Sequence, residues 1–157
     1  MNTELHLIAH DIRSRENVGA LFRMADALGV ARLWLTGYTP VPPDEKIHKT
    51  ALGAETWVPF THELAIDRVF EMLAAQHVPI YALEKLAGAV SIQSFVPPAR
   101  MALLLGTETT GVPASLLERC AGILQIPQVG KKESLNVSMA AAIASWELLR
   151  PRDTRGM

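Results

Sequence analysis

Hydrophobic and polar positions alternate with two different periods along the chain, which predicts strands and helices in turn. Leu5 to His10 alternates with a period of two and predicts a first strand, whereas the apolar residues between Val18 and Leu28 recur at helical spacing. Asn17 stands where an N-cap is expected, and Gly29 stands where a left-handed C-cap ends a helix. The polar residues 11–17 between the two elements predict a loop.

The same patterns predict alternating strands and helices over the rest of the chain. Further strands are expected at 32–36, 56–60, 78–83, 101–105 and 122–126, helices at 63–76, at 113–119 and up to Leu149, a short helix within 44–53, and mostly loop at 84–99. Met101 to Leu105 is apolar throughout, which is typical of a central parallel strand covered on both faces. The chain therefore predicts an α/β fold with a mainly parallel sheet flanked by helices.

In such a sheet, ligands bind at the carboxyl ends of the strands. The loops expected to leave those ends are 11–17, 84–91, 106–112 and 127–136. Most of these loops carry glycine or clustered polar residues, so a site is predicted at this edge before its ligand is known.

The C-terminal helix is apolar on nearly every side, which is unusual for a helix at a protein surface. Ser134 or Asn136 is placed to cap it, and Ala140 to Ala142 are small enough for another backbone to approach closely. Ile143 and Trp146 supply area to bury. We expect this helix to be enclosed by its own domain and by a second subunit.

Composition narrows the class of protein. The 157 residues fit one domain, so residues 1–157 are predicted to form a single domain, and the lone cysteine, Cys120, excludes an internal disulfide and any multi-cysteine zinc site. The histidines show no metal-ligand spacing, so no metal is predicted. No stretch approaches the roughly 20 apolar residues that a membrane span requires, and we expect a cytoplasmic protein without membrane contact.

The net charge of -1 gives no overall electrostatic case for binding nucleic acid. Basic residues nevertheless cluster locally, and a fold that gathers them on one face would create a basic patch. The alternative is a set of scattered, solvated charges. The basic residues concerned are Arg13, Arg15, Lys46, Lys49, Lys131 and Lys132.

Three segments carry the candidate chemistry, at residues 16–23, 106–111 and 126–138. Neither the dinucleotide fingerprint Gly-x-Gly-x-x-Gly nor a phosphate-loop signature is present. In the third segment, Ile126 and Leu135 are placed to bracket an apolar or aromatic ligand whose edge bonds the backbone near Gly130, whereas a helix start after Gly-Lys-Lys favours phosphate. The residues alone leave both ligands open.

Together, and in this order, the three segments resemble the SpoU (TrmH-like) branch of the SPOUT superfamily of RNA methyltransferases, over nearly the whole chain. The matching motifs are Asn17 to Arg23 with its flanking residues, Leu105 to Gly111, and Ile126-Pro-Gln-Val-Gly through Ser138. The resemblance implies a SPOUT fold with a C-terminal deep trefoil knot, a homodimer, and methyl transfer from S-adenosylmethionine to a ribose 2'-hydroxyl in tRNA or rRNA.

The resemblance also implies roles for individual residues. The catalytic and substrate-binding positions are Asn17, Arg23, Glu108, Ser134 and Asn136, and the cofactor-binding positions are Leu83, Gly106, Ile126, Gly130 and Leu135. We expect Arg23 to anchor an RNA phosphate and polarise the hydroxyl, because a guanidinium is a poor proton acceptor. Glu108 is expected to orient Asn17 or Arg23, or to receive the proton. The six basic residues are candidates for RNA contact, with tRNA favoured over rRNA.

Two other functions compete with this interpretation. One is a non-catalytic module of the same fold that binds RNA or S-adenosylmethionine, and the intact Asn17, Arg23 and Glu108 speak against it. The other is an unrelated α/β enzyme that uses a different nucleotide, and the absent nucleotide-binding signatures speak against that one. The three tryptophans, Trp34, Trp57 and Trp146, are expected in the core or at a dimer contact.

Overall fold

A computed structural model describes residues 2–152, so residue 1 and residues 153–157 of the predicted domain lie outside the described residues. Seven strands form one parallel sheet in the order β3-β2-β1-β6-β4-β7-β5. The strands are β1 (Glu4–His10), β2 (Arg32–Thr36), β3 (Phe60–Glu63), β4 (Ile80–Leu83), β5 (Val90–Ser91), β6 (Arg100–Leu105) and β7 (Gly122–Gln125). The helices are α1 (Arg15–Leu28), α2 (Glu45–Ala51), α3 (Ile66–Ala75), α4 (Ala114–Leu117) and α5 (Val137–Leu149). The predicted α/β fold with a mainly parallel sheet is confirmed.

Helices cover both faces of this sheet, and each face has its own apolar cluster. One face packs against α1 and α5, and the other packs against α3 and α4. Strand β6 lies between β1 and β4, and its side chains alternate between the two clusters, with Leu103 and Leu105 on one side and Ala102 and Leu104 on the other. The continuous apolar run predicted for a central strand is therefore explained by burial on both sides.

The start of α1 differs from the prediction. Ser14, not Asn17, is the N-cap, because its hydroxyl accepts the backbone N–H of Asn17 at 3.1 Å. The helix begins at Arg15, so residues 15–17 belong to its first turn rather than to a loop. Its end at Gly29 is confirmed, with a positive φ of 71° and a backbone N–H that bonds Ala25 and Asp26.

The prediction of a strand at 56–60 is also wrong. Residues Ala54–Thr56 form a single 3-10 turn, and β3 starts only at Phe60. The reason is local hydrogen bonding: the buried Glu55 carboxylate accepts the Gly53 N–H at 3.0 Å and also bonds His48. Those bonds bend the chain where its side-chain pattern alone favours a strand. Two smaller differences are the later start of α3, at Ile66, and the two-residue β5 inside the predicted 84–99 loop.

Helix α5 is confirmed, but within one chain it is covered on one side only. Asn136 caps it by accepting the N–H groups of Ser138 and Met139, at 2.9 and 3.2 Å. Its buried residues are Ala141, Ala144, Ser145 and Leu148, whereas Met139, Ile143 and Trp146 are 61%, 45% and 64% exposed. Of the other tryptophans, Trp34 is buried and Trp57 is exposed. Among residues 2–152, no helix has the length and apolar character needed to cross a bilayer.

Candidate functional site

A cavity of about 330 Å³ opens at the carboxyl ends of β4, β6 and β7, where the parallel-sheet rule predicts a site. Three of the four loops expected at this edge line it, because β6 lies beside β4 and β7 follows on the other side of β4. The lining residues include Leu83, Glu84, Lys85, Gly106, Glu108, Gly111, Ile126, Ser134, Leu135, Val137 and Ala140.

Four of the five residues expected to bind a cofactor lie on this wall. They are Leu83 at the end of β4, Gly106 after β6, and Ile126 and Leu135 on either side of the loop that precedes α5. Gly130 lies in that same loop but is exposed and is not among the residues that line the cavity. Its role therefore stays a prediction.

The loop after β6 is closed on itself, which explains its two glycines. Thr107 and Gly111 exchange backbone hydrogen bonds of 3.2 and 3.1 Å. A Cβ on Gly106 would lie 2.2 Å from the carbonyl carbon of Gly111, so any side chain at that position would push the turn open. Gly111 has a positive φ of 70°, which favours glycine. The closed turn fixes the position of Glu108 within it.

The carboxylate of Glu108 joins this turn to the start of α1. Its oxygens accept the backbone N–H groups of Arg13 and Ser14, each at 3.1 Å, and the side-chain amide of Asn17 at 3.4 Å. These contacts connect residues more than ninety positions apart in the chain. These contacts place Asn17 next to Glu108, which lines the cavity. They also fix the orientation of the Asn17 amide, because its NH₂ group must face the Glu108 carboxylate.

The surroundings of Glu108 keep it ionised. Partial burial alone would raise the pKa of this carboxyl, but hydrogen bonds from backbone N–H groups, including those of Ser14 and Arg13, and from the Asn17 amide outweigh burial and lower the pKa below its ordinary value. A carboxylate with a lowered pKa is a weak proton acceptor. Of the roles expected for Glu108, the contacts favour orientation of Asn17.

A chain of side-chain hydrogen bonds continues from Asn17 to the start of α5. The oxygen Oδ1 of Asn17 accepts the amide of Asn136 at 3.1 Å and lies 3.5 Å from the hydroxyl of Ser138. The Ser138 hydroxyl also donates to Asn136 Oδ1 at 2.6 Å. Glu108, Asn17, Asn136 and Ser138, which we term the polar network, thereby connect the start of α1, the loop after β6 and the start of α5.

A close contact between α1 and α2 holds the start of α1 in place. A Cβ on Gly19 would lie 2.0 Å from the hydroxyl oxygen of Thr50, so only glycine allows this approach. The same hydroxyl donates to the carbonyl oxygen of Glu16 at 2.9 Å, and Arg15 pairs with Asp44, the N-cap of α2, at 2.8 Å. The polar network therefore rests on a rigid support.

Arg23 is the one expected catalytic residue that the fold keeps apart from the others. It lies six residues after Asn17 on α1, which places it about 9 Å further along the axis and roughly 120° around the helix. Its side chain is exposed and does not line the cavity, and no hydrogen bond or ion pair joins it to another residue between 2 and 152. Ser134, in contrast, lines the cavity.

The basic residues expected to contact RNA are divided by the structure. Arg13 and Lys46 are exposed near the starts of α1 and α2, and Lys49 is exposed in the last turn of α2. The guanidinium of Arg15 is engaged by Asp44. Lys131 and Lys132 are exposed on the loop before α5. Lys85, which the sequence did not single out, lines the cavity. A group of three or more His, Cys, Asp or Glu side chains able to bind a metal is not found among residues 2–152.

Besides Lys85, sequence reasoning did not select Glu84 and Ser138. Glu84 lines the cavity directly after β4, and Ser138 joins the polar network. A signal was available for both: Glu84 follows the strand end at which Leu83 was selected, and Ser138 is two residues beyond the cap of α5. Neither stands out by residue type alone.

Comparison with known proteins identifies relatives over most of the chain. A sequence model of the SpoU rRNA Methylase family matches residues 4–146. The chain is 32% identical over 148 residues to the 23S rRNA (guanosine-2'-O-)-methyltransferase RlmB of Xylella fastidiosa (strain 9a5c), a match that covers 94% of this chain and 59% of that protein. The chain thus spans about three fifths of the length of the curated relatives that it matches.

Solved structures share the fold. An AdoMet-bound rRNA methyltransferase from Sinorhizobium meliloti matches with a TM-score of 0.83 and 26% identity, over 94% of this chain and 56% of that chain. A structure described as giving insights into the 2-OH methylation of C/U34 on tRNA matches with a TM-score of 0.84 and 26% identity, over 93% of this chain and 94% of that chain.

Proposed function

The chain belongs to the SpoU rRNA methylase family, and we propose that it transfers a methyl group from S-adenosylmethionine to the 2'-hydroxyl of a ribose in RNA. One observation carries the proposal: the cavity at the carboxyl edge of the sheet lies against the polar network of Glu108, Asn17, Asn136 and Ser138. A binding cavity and a set of oriented hydrogen-bonding groups are what this transfer requires.

The cavity fits the cofactor. Its volume of about 330 Å³ is within the range of small-molecule sites, and Leu83, Ile126 and Leu135 give it an apolar wall suited to an adenine ring. Gly106 allows the loop after β6 to close beside that wall. The S. meliloti relative is described as AdoMet bound. When bound, S-adenosylmethionine supplies a methyl group already activated on a sulfonium.

The work of the protein side chains is then to position a weak nucleophile, the ribose hydroxyl. Asn17 and Asn136, with Ser134 on the cavity wall, are placed to fix the ribose. Glu108 orients the amide of Asn17, and because its pKa is lowered it stays ionised in that role. Holding an oxygen in line with its target lowers the activation barrier of such reactions substantially.

We further propose that the protein is a homodimer whose site takes Arg23 from the second copy. The exposed apolar residues of α5, Met139, Ile143 and Trp146, suit a symmetric contact, and Arg23 finds no partner among residues 2–152. In the partner site, Arg23 anchors an RNA phosphate and polarises the hydroxyl. A guanidinium with five donors is well suited to that task.

The C-terminal segment is proposed to form a deep trefoil knot within a single SPOUT domain of residues 1–157. Strand β7 lies between β4 and β5, whereas α5 packs on α1 and β1 in the other half of the sheet. The loop at 126–136 therefore passes along the cavity, which the loops that follow β4 and β6 also line. This course supports a threaded chain, which is rare among folds.

We propose tRNA as the substrate, in preference to rRNA, and the cytoplasm as the place of action. The relative described for 2-OH methylation of C/U34 on tRNA matches over 93% of this chain and 94% of that chain, whereas the match to the 23S rRNA enzyme covers 59% of that protein. Arg13, Lys46, Lys49, Lys131 and Lys132 are exposed for contact with phosphates.

The test is a methyl-transfer assay. Purified protein is incubated with isotopically labelled S-adenosylmethionine and unfractionated tRNA or rRNA from a strain that lacks the gene, and the digested RNA is analysed by nucleoside mass spectrometry. We expect one labelled 2'-O-methylnucleoside, in tRNA. A labelled base would contradict ribose methylation, and binding of S-adenosylhomocysteine without any transfer would favour the non-catalytic module.

A further inference from the structure

Glu84 is a carboxylate in the cavity for which the proposed methyl transfer has no role. It follows β4 directly, and its backbone N–H bonds the Leu124 carbonyl oxygen of β7 at 2.9 Å, so its backbone is fixed between two strands. The side chain reaches across to the loop after β6, where Oε2 accepts the backbone N–H of Val112 at 2.8 Å. Both the backbone and the carboxylate of Glu84 are therefore held by hydrogen bonds.

The carboxylate lies against Gly111, which also lines the cavity. A Cβ on Gly111 would lie 2.4 Å from Oε2 and 2.9 Å from Oε1 of Glu84, so the carboxylate occupies the space that any other side chain at 111 would need. The loop after β6 is thus shaped to receive a carboxylate at this point.

Only one of the two carboxylate oxygens has a partner. Among residues 2–152, no donor or cation bonds Oε1, and the neighbouring Lys85 forms no ion pair with it. Glu84 lines the cavity, and Oε1 is not one of the buried side-chain atoms that lack a partner in the described part of the chain, so this oxygen is accessible from the cavity. A molecule bound there can therefore donate a hydrogen bond to it.

We infer that Glu84 is a cofactor-binding residue whose Oε1 accepts a hydrogen bond from S-adenosylmethionine, while Oε2 holds the loop after β6. The donors available on that molecule are the adenine amino group, the ribose hydroxyls and the α-ammonium group. The inference rests on the proposed function, since it takes that cofactor as the occupant of the cavity. It adds a charged side chain to the expected cofactor-binding positions, which are otherwise apolar residues or glycines.

The alternative is that Glu84 only clamps the loop, and glutamine separates the two roles. Glu84→Gln keeps one oxygen to accept the Val112 N–H, so a clamp survives the change. The other position becomes an amide N–H₂ group, which donates and cannot accept from the cofactor. Glu84→Ala removes both contacts. Glu118→Gln serves as the matched control, because Glu118 is exposed at the end of α4 and does not line the cavity.

The experiment is calorimetric titration of each variant with S-adenosylhomocysteine. We expect Glu84→Gln to bind about tenfold more weakly than the wild type, in line with loss of a hydrogen bond to a charged group. The melting temperature without ligand and the hydrogen exchange of the Val112 amide are expected to stay as in the wild type. Glu118→Gln is expected to bind as the wild type does.

The outcomes separate this inference from the function beneath it. Absence of S-adenosylhomocysteine binding to the wild type would overturn both, whereas unchanged binding to Glu84→Gln would overturn this inference alone. Weaker binding accompanied by faster exchange at Val112 would also overturn it, because the effect would then come from the loop. Titration with 5'-methylthioadenosine, which has the adenosine part but no α-ammonium, narrows the donor: an equal loss indicates a donor on the adenosine, and no loss indicates the ammonium.

Discussion

Asn17 and Arg23 lie on the same helix, α1, but the side chain of Asn17 is held by hydrogen bonds and that of Arg23 is exposed. The Asn17 amide is fixed by Glu108 on one side and by Asn136 on the other, at 3.4 and 3.1 Å. The guanidinium of Arg23 is exposed, and no residue between 2 and 152 bonds it. The motif from Asn17 to Arg23 therefore has two parts within one chain. Asn17 with its hydrogen-bonded partners is termed the completed half, and the exposed Arg23 is termed the open half.

The same division appears on α5. Its start belongs to the polar network through Asn136 and Ser138, whereas Ile143 and Trp146 further along are exposed. Helices α1 and α5 pack against each other, so their open parts belong to neighbouring surfaces. The loop residues of the polar network are therefore joined to one another within one chain, whereas the exposed helix surfaces are the parts that we propose to meet a second copy.

The largest effect is expected when the two halves are broken separately. Asn17→Ala and Arg23→Ala should each reduce methyl transfer about 100-fold, since misplacement of a reacting group costs about that much. A mixture of the two variants, after subunit exchange, should recover about a quarter of wild-type activity, because about half of the dimers are mixed and each has one intact site. Initial rates with saturating RNA provide the measurement.

The control for this pair is each variant mixed with itself under the same exchange conditions. No recovery in the mixed sample, with exchange verified by native mass spectrometry, would show that Arg23 acts within its own chain. In that case the open half of the motif would be completed by RNA rather than by a partner subunit.

The next largest effect concerns the outer face of α5. Trp146→Ala should weaken dimerisation about thirtyfold, or about 2 kcal/mol, because exposed aromatic side chains that become buried at interfaces dominate their energy. Sedimentation equilibrium over a range of concentrations measures the change. Leu64→Ala, at a residue that is 72% exposed and remote from α5, is the control. Equal dissociation constants for wild type and Trp146→Ala would argue against this face as the dimer contact.

Sequence patterns predicted the completed half well where one rule governs several residues at once. The two-residue and helical periods located most strands and helices, and the parallel-sheet rule located the cavity. The errors lie where one side chain changes the local backbone. Ser14 takes the cap that Asn17 was expected to form, and Glu55 bends the chain at the predicted 56–60 strand.

Long-range contacts were beyond the sequence for a different reason. Glu108 meets Arg13 and Ser14 across more than ninety residues, and Glu84 meets Val112 across 28. No local spacing encodes such a contact, because it depends on which loops the strand order brings together. The sequence therefore identified Glu108 only through its motif, and it did not identify Glu84.

A smaller effect is expected from changing the charge of Glu108 within the completed half. Hydrogen bonds lower its pKa in the folded protein, so ionised Glu108 stabilises the fold above the ordinary pKa of 4.5, and this contribution is lost as pH falls through the lowered value. Glu108→Gln should therefore lose less stability than the wild type as pH falls below the ordinary carboxyl pKa of 4.5. At neutral pH, methyl transfer should fall about tenfold, because an amide orients Asn17 less strongly than a carboxylate.

Thermal unfolding at several pH values measures the first part of this prediction. Glu118→Gln serves as the reference, because Glu118 is exposed and its carboxylate bonds no residue in the described part of the chain. If the wild type and Glu108→Gln lose stability in parallel on acidification, the hydrogen bonds to Glu108 do not favour its ionised form.

The smallest effect is expected at Arg15, and it tests whether a basic residue of the completed half is still available to RNA. Its guanidinium pairs with the Asp44 cap of α2 at 2.8 Å, whereas Lys131 is exposed on the loop before α5. Loss of one phosphate contact reduces the magnitude of the slope of log K, where K is the RNA association constant, against log salt concentration by about 0.9. Lys131→Ala should produce that change in tRNA binding measured by fluorescence anisotropy, and Arg15→Ala should produce less than half of it. Equal slopes for the two variants would show that the ion pair with Asp44 opens when RNA binds, so that rigidity at the start of α1 belongs to the free protein only.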